Sequence, residues 1–369
     1  MISRQGPLRF DQFVELVLYG PGGFYTSGGG AGRRRDFLTS PEVGPLFGSV
    51  VARALDAEWR RLGRPDPFVV VEAGAGRGAL AQSVIGAGPA CAGALRYVCV
   101  ERSPALREGA VRLLHAEPAA MLFGPVVDAD DELGILPDQG PLVAVVEELP
   151  STVGAHAVVA NELLDNLPFR LLCRQDDRWW EVFVGFDPGE GRLTELPVEA
   201  APDAAAEAGR LAPEASTGAR IPLQRAAVEW LRRALGLVVG GRVVAVDYVD
   251  TTAGLAARPW REWVRTYRSQ GRGGSPLDDP GSQDLTCEVA VDQLAAGARP
   301  PDADRSQLDW LRHHGIDELV AAARSTWAER ARLGDLVALA ARSRVGEADA
   351  LCDPDGLGAF RVLEWEVDR

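Results

Sequence analysis

The stretch FVVVEAGAGRGAL, residues 68 to 80, constrains the fold more than any other part of the chain. Its opening run of apolar and β-branched residues has the composition of a strand buried on both faces. The run then breaks into Glu72, Gly74, Gly76 and Gly78 and resumes with helix-forming residues, so a strand, a tight turn and a helix follow one another directly. Glycines in such a turn let backbone N–H groups approach a ligand at the helix N-terminus. Two ligands satisfy the spacing. Gly74-x-Gly76-x-x-Ala79 fits the pyrophosphate fingerprint of dinucleotide enzymes. Gly74-Ala75-Gly76-x-Gly78, preceded by Glu72, equally fits a site for S-adenosylmethionine (SAM).

The same alternation runs through the chain. Strand-like segments at 68–72, 95–101, 155–162 and 242–249, with a further candidate near 125–127, are separated by helical patterns at about 78–86 and 104–116 and in PLQRAAVEWLRRALG. Continuous apolar strands between helices predict an α/β protein with a doubly wound, mostly parallel sheet. Residues 1–64 read as an N-terminal helical arm and lid: LRFDQFVELVLYG spaces Phe10, Phe13, Leu16 and Val17 as a helix, and the glycine-rich PGGFYTSGGGAG follows. In LTSPEVGPLFG, Thr39 or Ser40 caps a helix with Pro41 at its first position. Residues 65–369 form the main domain, with an insertion at about 169–220 and a candidate substrate loop at about 268–285. The insertion starts as a hairpin turning at Asp176 and Asp177 and continues as a loose Ala/Pro/Glu-rich stretch; helices at about 305–342 and a strand in AFRVLEWEV end the chain.

Composition removes several classes of function. The chain contains no lysine, which excludes a lysine Schiff base or general base. A net charge of −14 argues against nucleic-acid binding. Five scattered cysteines without a C-x-x-C pair read as reduced and structural, and the four histidines form no metal-ligand pattern. No apolar run approaches the ~18 residues of a membrane span, and MISRQGPLRF lacks the apolar core of a secretory signal, so the expected location is the cytoplasm, away from membranes.

Two acidic residues discriminate between the ligands. Glu101, ending LRYVCVE, stands where a carboxylate accepts both ribose hydroxyls of an adenosine, a device common to NAD and SAM enzymes. Glu72, two residues before Gly74, would repel a pyrophosphate but attracts the ammonium and sulfonium of SAM. A second constellation, VVANELLDNLPF, places Asn161, Glu162 and Asp165 at the carboxyl end of a buried strand, where open α/β sheets bind ligands.

With these residues in hand, the chain resembles the MidA-type SAM-dependent methyltransferases, whose mitochondrial members are complex I assembly factors that dimethylate a protein arginine. The resemblance rests on LYGPGGFY (18–25), DFLTSPEVGPLFG (36–48), VEAGAGRG (71–78), ANELLDNLPF (160–169), SPLDDPGSQDLT (275–286) and LGAFRVL (357–363). It implies a class I methyltransferase fold and SAM as cofactor, held by Glu72, Gly74, Ala75, Gly76, Gly78, Glu101 and Asn161 with Ser40 of the TSPE turn nearby. Glu162 and Asp165 are the catalytic candidates, as carboxylates that pair with a guanidinium; Phe24, Tyr25 and Asp284 are the candidates for the acceptor channel. The expected acceptor is a protein or peptide side chain such as arginine. Where the family reads DLTAHVDF and IDYG, this chain has DLTCEVAV, with Glu288 and Ala290, and VDYV, with Val249. Those departures bear on the acceptor. A SAM-binding assembly factor acting by protein contact, a small-molecule or peptide O/N-methyltransferase and a nicotinamide oxidoreductase are the rival readings. The sequence leaves the oligomeric state open.

Overall fold

The computed structural model describes residues 2, 6–30, 39–123, 139–150, 153–269 and 271–368. Phe68–Ala73 (β1) and Leu95–Val100 (β2) are buried along their whole length, as β-branched runs covered on both faces must be. They pair in parallel, and β2 pairs with Leu142–Val146 (β3). On the other side of β1 lie Ala155–Asn161 (β4) and Val238–Asp247 (β5), also parallel. Ala303–Ser306 (β6) and Arg361–Val367 (β7) complete a seven-stranded sheet in the order β3-β2-β1-β4-β5-β7-β6, in which β7 alone runs antiparallel to both its neighbours. The chain moves outward from β1 in both directions, which opens a crevice at the carboxyl ends of β1 and β4.

Alternate residues of each strand feed two cores. Val70, Tyr97, Val159 and Val246 pack with Pro45–Arg61 (α2), Ala79–Gly86 (α3) and the C-terminal helices Gln307–His313 (α5), Ile316–Arg330 (α6) and Leu336–Leu351 (α7). Val71, Val98, Val158 and Ala245 face Arg225–Leu237 (α4), whose Ala227, Trp230, Leu231 and Ala234 recur at helical spacing. The boundary expected at residue 64 is displaced, because Leu46, Phe47, Val50 and Leu55 of α2 share one core with Val70. Phe10–Tyr19 (α1) is likewise no free lid: Phe10, Phe13 and Leu18 are buried against Phe169 and Trp263.

A second, antiparallel sheet is built from Arg170–Gln175, Arg178–Asp187, Arg192–Glu199 and Arg220–Leu223, and Leu8–Arg9 of the arm adds to its edge. The hairpin turns at Asp176, at φ 50°. The stretch after it is not loose: Arg192–Glu199 pairs along its full length with Arg178–Asp187, and Pro202–Leu211 forms a helix. This strand is half exposed and carries Pro197, so its alternation is weak, as edge strands allow. The strand candidate near 125–127 lies outside the described residues. Within the 268–285 loop, a Cβ on Gly281 (φ +85°) would stand 2.5 Å from the Gly22 carbonyl oxygen, so glycine there lets loop and arm meet. The five cysteines are free thiols.

Candidate active site

A cavity of about 440 Å³ occupies the crevice. Its first wall is the turn after β1. Gly74 and Gly76 adopt φ of 72° and 56°, and the N–H groups of Gly74 and Ala75 donate to the Val100 carbonyl at 2.9 and 3.0 Å, pinning the turn to β2. Glu101 is buried at the end of β2 and accepts from Gly76 N–H at 2.9 Å and Ser103 N–H at 2.7 Å. Burial raises the Glu101 pKa, and the two backbone hydrogen bonds oppose the rise. Glu72, 4% exposed, accepts from the Tyr97 hydroxyl at 2.8 Å, and burial pushes it up to about 8. A Cβ on Gly76 would meet no protein atom within 4 Å, so the space above it belongs to the cavity. Gly78 has a different task. A Cβ there would stand 2.7 Å from Leu114 Cδ1, so glycine at this position lets the helix seat closely, and Gly78 is absent from the lining.

The second wall follows β4. Asn161 and Glu162 both line the cavity. Glu162 sits at φ 51°, a left-handed backbone rare for a side-chain-bearing residue, with its N–H donating to the Val246 carbonyl at 2.8 Å. Asn161 Nδ2 at 3.1 Å and Ser40 N–H at 3.4 Å converge on Glu162 Oε1. Burial, then the charge of Asp247, pushes Glu162 up to about 8. Asp165 lies behind this wall, outside the lining, buried and with no hydrogen-bond partner for Oδ1 among the described residues. Its pKa is driven well up by burial first and then by Asp247, Glu162 and Asp284. Asp247, at the end of β5, accepts from the N–H groups of Leu164 at 2.9 Å, Asp165 at 3.3 Å and Tyr248 at 2.9 Å, and burial raises it to about 7. Asp165, Asp247 and Asp284 are therefore a buried acidic group behind the crevice, and the half-buried Glu162 fronts it on the cavity.

The arm supplies the cover. Tyr25 lines the cavity, and its hydroxyl donates to Asn166 Oδ1 at 3.0 Å; Asn166 Nδ2 in turn donates to Asp284 Oδ1 at 3.1 Å. Ser103 Oγ donates to the Tyr25 carbonyl at 2.8 Å. Tyr19 stacks on Tyr25 at 5.4 Å, and the Arg102 guanidinium lies 4.1 Å over the Tyr19 ring. Thr39, Pro41 and Glu42 close the rim.

Besides Gly78 and Asp165, three more residues expected at ligands stand elsewhere. Phe24 is buried in the core beneath the arm, against the backbone at Gly29, so it packs the arm and does not face the channel. Ser40 is fully buried and donates its hydroxyl to Gln307, reaching the cavity only through its N–H on Glu162. Asp284 is buried behind Asn166 and does not line the cavity. Glu288 is held between Arg258 and Arg265, so the DLTCEVAV departure is absorbed in an ion-pair cluster outside the lining. His156, at the amino end of β4, accepts the Val69 N–H on Nδ1 at 3.0 Å and is structural. Asp247, Asn166, Tyr19 and Arg102 were not singled out by sequence. Asp247 alone carried a signal, an acidic residue ending a buried strand like Glu162.

A glycine turn at the first strand, two buried carboxylates facing it and a cavity at the switch of strand order define a SAM-dependent methyltransferase. The chain belongs to the family described as "putative S-adenosyl-L-methionine-dependent methyltransferase", whose model matches residues 50–303. It is 28% identical to the mitochondrial protein arginine methyltransferase NDUFAF7 homolog of Drosophila melanogaster, over 78% of this chain and 66% of that protein. It is 26% identical to human mitochondrial protein arginine methyltransferase NDUFAF7, over 86% of this chain and 72% of that one. A methyltransferase-like protein of Burkholderia thailandensis, crystallised with S-adenosyl-homocysteine, superposes with a TM-score of 0.78 at 26% identity, covering 99% of this chain and 89% of the other. These relatives correct the expected location: the curated ones are mitochondrial proteins, so a missing secretory signal does not assign this chain to the cytoplasm. Among the described residues no helix is long and apolar enough to cross a membrane.

Proposed function

We propose that this enzyme transfers the methyl group of SAM to the guanidinium of an arginine side chain in a protein or peptide. The observation that carries the reading is the acidic cluster of Glu162, Asp165, Asp247 and Asp284, in which burial raises the carboxyl pKa values of Glu162, Asp165 and Asp247 and the neighbouring carboxylates add to the rise at Glu162 and Asp165. Such a cluster is costly unless a cation enters, and among the described residues it is not arranged to hold a metal ion. A guanidinium, planar and charged below pKa ~12, matches carboxylates geometrically as well as electrically. The names of the relatives point to the same acceptor.

The cavity fits SAM: Gly74, Ala75 and Gly76 would present backbone to it, Glu101 would take the ribose hydroxyls, and Glu72 the ammonium, with Asn161 alongside. SAM supplies an electrophilic methyl on a sulfonium. The protein's own part is alignment and exclusion of water, worth about 7–11 kcal/mol when geometry is well held. Glu162 accepts N–H bonds from the guanidinium and so turns one nitrogen toward the methyl; that nitrogen gains the methyl and gives up a proton, which a carboxylate near neutral pKa can take. Asp165 and Asp284 act behind it, Asp165 through charge and Asp284 by fixing Asn166, which holds Tyr25 over the channel. The doubly wound sheet thus carries cofactor on β1 and β2 and acceptor on β4 and β5.

Titration of the S-adenosyl-homocysteine-loaded protein with an arginine peptide and its citrulline counterpart tests the acceptor. The arginine peptide should bind about tenfold tighter or more; equal binding overturns the reading. A second reading, partner binding by contact, is favoured by one feature: Leu333, Leu336, Val337 and Leu339 are exposed at the tip of the α6–α7 hairpin, Leu336 by 83%.

A further inference from the structure

On the sheet face opposite α4, a second cavity of about 170 Å³ lies between α2, α5 and strands β4 and β5. Val51 and Leu55 of α2, Val159 of β4, Val244 and Val246 of β5 and Trp310 of α5 make an apolar slot. Its hydrogen bonding is lopsided. Glu58 accepts from Arg61 and Arg242, while Glu364 accepts from Arg242 and lies 3.2 Å from Arg305, so each lining carboxylate is already shared by two arginines. Trp310 is 3% exposed, and its indole N–H has no acceptor among the described residues. Arg242 also meets Glu366 at 3.4 Å, so arginines and carboxylates balance around the slot, while Arg305 pairs only with Glu364 among the described residues and keeps N–H donors for an added acceptor. Burial first, then His313, Arg242 and Arg305, push the pKa of the lining His314 down to about 4.

A purely apolar cavity is stable dry. A buried N–H without an acceptor is not neutral in energy, and native interiors rarely keep one unless something satisfies it. We propose that this cavity binds a small carboxylic acid with a single-ring or branched apolar body, the carboxylate accepting from Trp310 N–H and Arg305 and the body filling the valine-lined slot. The size agrees, since an engineered cavity of about 150 Å³ takes a benzene ring. Asn161 connects the two sites. It lines both cavities, its Nδ2 donates to Glu162, and its buried Oδ1 has no donor among the described residues. Occupancy of the slot therefore reaches the transfer site through one side chain, and SAM must feel it reciprocally.

The probe is phenylacetate, titrated into the full chain by calorimetry, with benzyl alcohol as the neutral counterpart. A ligand of about ten heavy atoms should bind saturably with Kd of about 1 mM or tighter. Benzyl alcohol should bind about tenfold more weakly, Arg305→Gln should weaken phenylacetate about tenfold, and Ala54→Leu, which fills the slot from α2, should abolish its binding. Both variants should keep wild-type SAM affinity without the acid, which shows an intact fold. Saturating phenylacetate should shift SAM affinity about threefold or more in the wild type. Absence of saturable binding by either probe overturns the site. Equal binding of the alcohol, or indifference to Arg305→Gln, overturns the carboxylate, and unchanged SAM affinity overturns the link through Asn161.

Discussion

Glu72 should make SAM binding depend on pH, and Glu72→Gln should remove that dependence. In the free protein burial holds Glu72 protonated up to about 8, with Tyr97 donating to it. A bound ammonium favours the ionised form, so binding below that pKa expels a proton. Between pH 6.0 and 7.5 the ionised fraction of a group with pKa about 8 rises about 24-fold; the α-amino group of the ligand, with pKa about 7.8, loses about a third of its charge over the same range, leaving a net gain in affinity of about 15-fold. Glutamine keeps an acceptor for Tyr97 but cannot ionise. Calorimetry at pH 6.5 in buffers of different ionisation enthalpy should show about one proton released per SAM bound to wild type and none for Glu72→Gln. Zero release from wild type, or the same pH slope in the variant, would refute the ammonium assignment.

Three further outcomes follow from the same geometry. Glu101→Ala should weaken SAM by about 1–3 kcal/mol, read by titration, because a hydrogen bond to a charged group is lost; unchanged affinity with the fold intact would remove Glu101 from the ribose. Tyr25→Phe, which deletes the hydroxyl bonded to Asn166, should lower turnover while SAM affinity stays within about threefold, and SAM with acceptor should slow hydrogen exchange around residues 18–30 and 39–42; equal exchange with and without ligands would end the idea that the arm closes the site. The ligand-free protein should lose thermal stability as pH rises from about 4.5 to 8, since Glu72, Glu162 and Asp247 keep protons in the fold that the unfolded chain releases, and folding then takes up protons. Scanning calorimetry reads this directly, and flat stability across that window would contradict the buried cluster.

The parts of the site legible in the sequence are those carried by strand ends. Gly74, Gly76 and Glu101 follow buried runs directly, so their placement at the crevice needs only the parallel sheet, and Asn161 and Glu162 follow from the same logic one strand further on. Gly78 shows the limit: its spacing is that of a ligand glycine, but its contact is with Leu114, a helix distant in sequence. Phe24 and Tyr25 are neighbours with opposite fates, one in the core and one over the cavity, and nothing local to GGFYTS separates them. The strand Leu142–Val146 was missed because its short run sits between proline and a pair of glutamates, with no helix pattern on either side to frame it. Asp165 looked exposed to chemistry by its position after the fourth strand, but the turn Leu164–Asn166, capped by Asp247, folds it inward. Long-range packing decided each of these cases.

The central claim is transfer of the SAM methyl to a guanidinium held by the acidic cluster, and isotope-labelled SAM tests it most directly. Incubated with a peptide mixture containing every side-chain type and read by tandem mass spectrometry, the enzyme should place label on arginine guanidino nitrogens. Glu162→Gln should lower that transfer at least about a hundredfold while S-adenosyl-homocysteine still binds, the loss expected for a group that acts in the transition state. Label on lysine, a hydroxyl or a carboxylate, or full transfer by Glu162→Gln, would contradict the account.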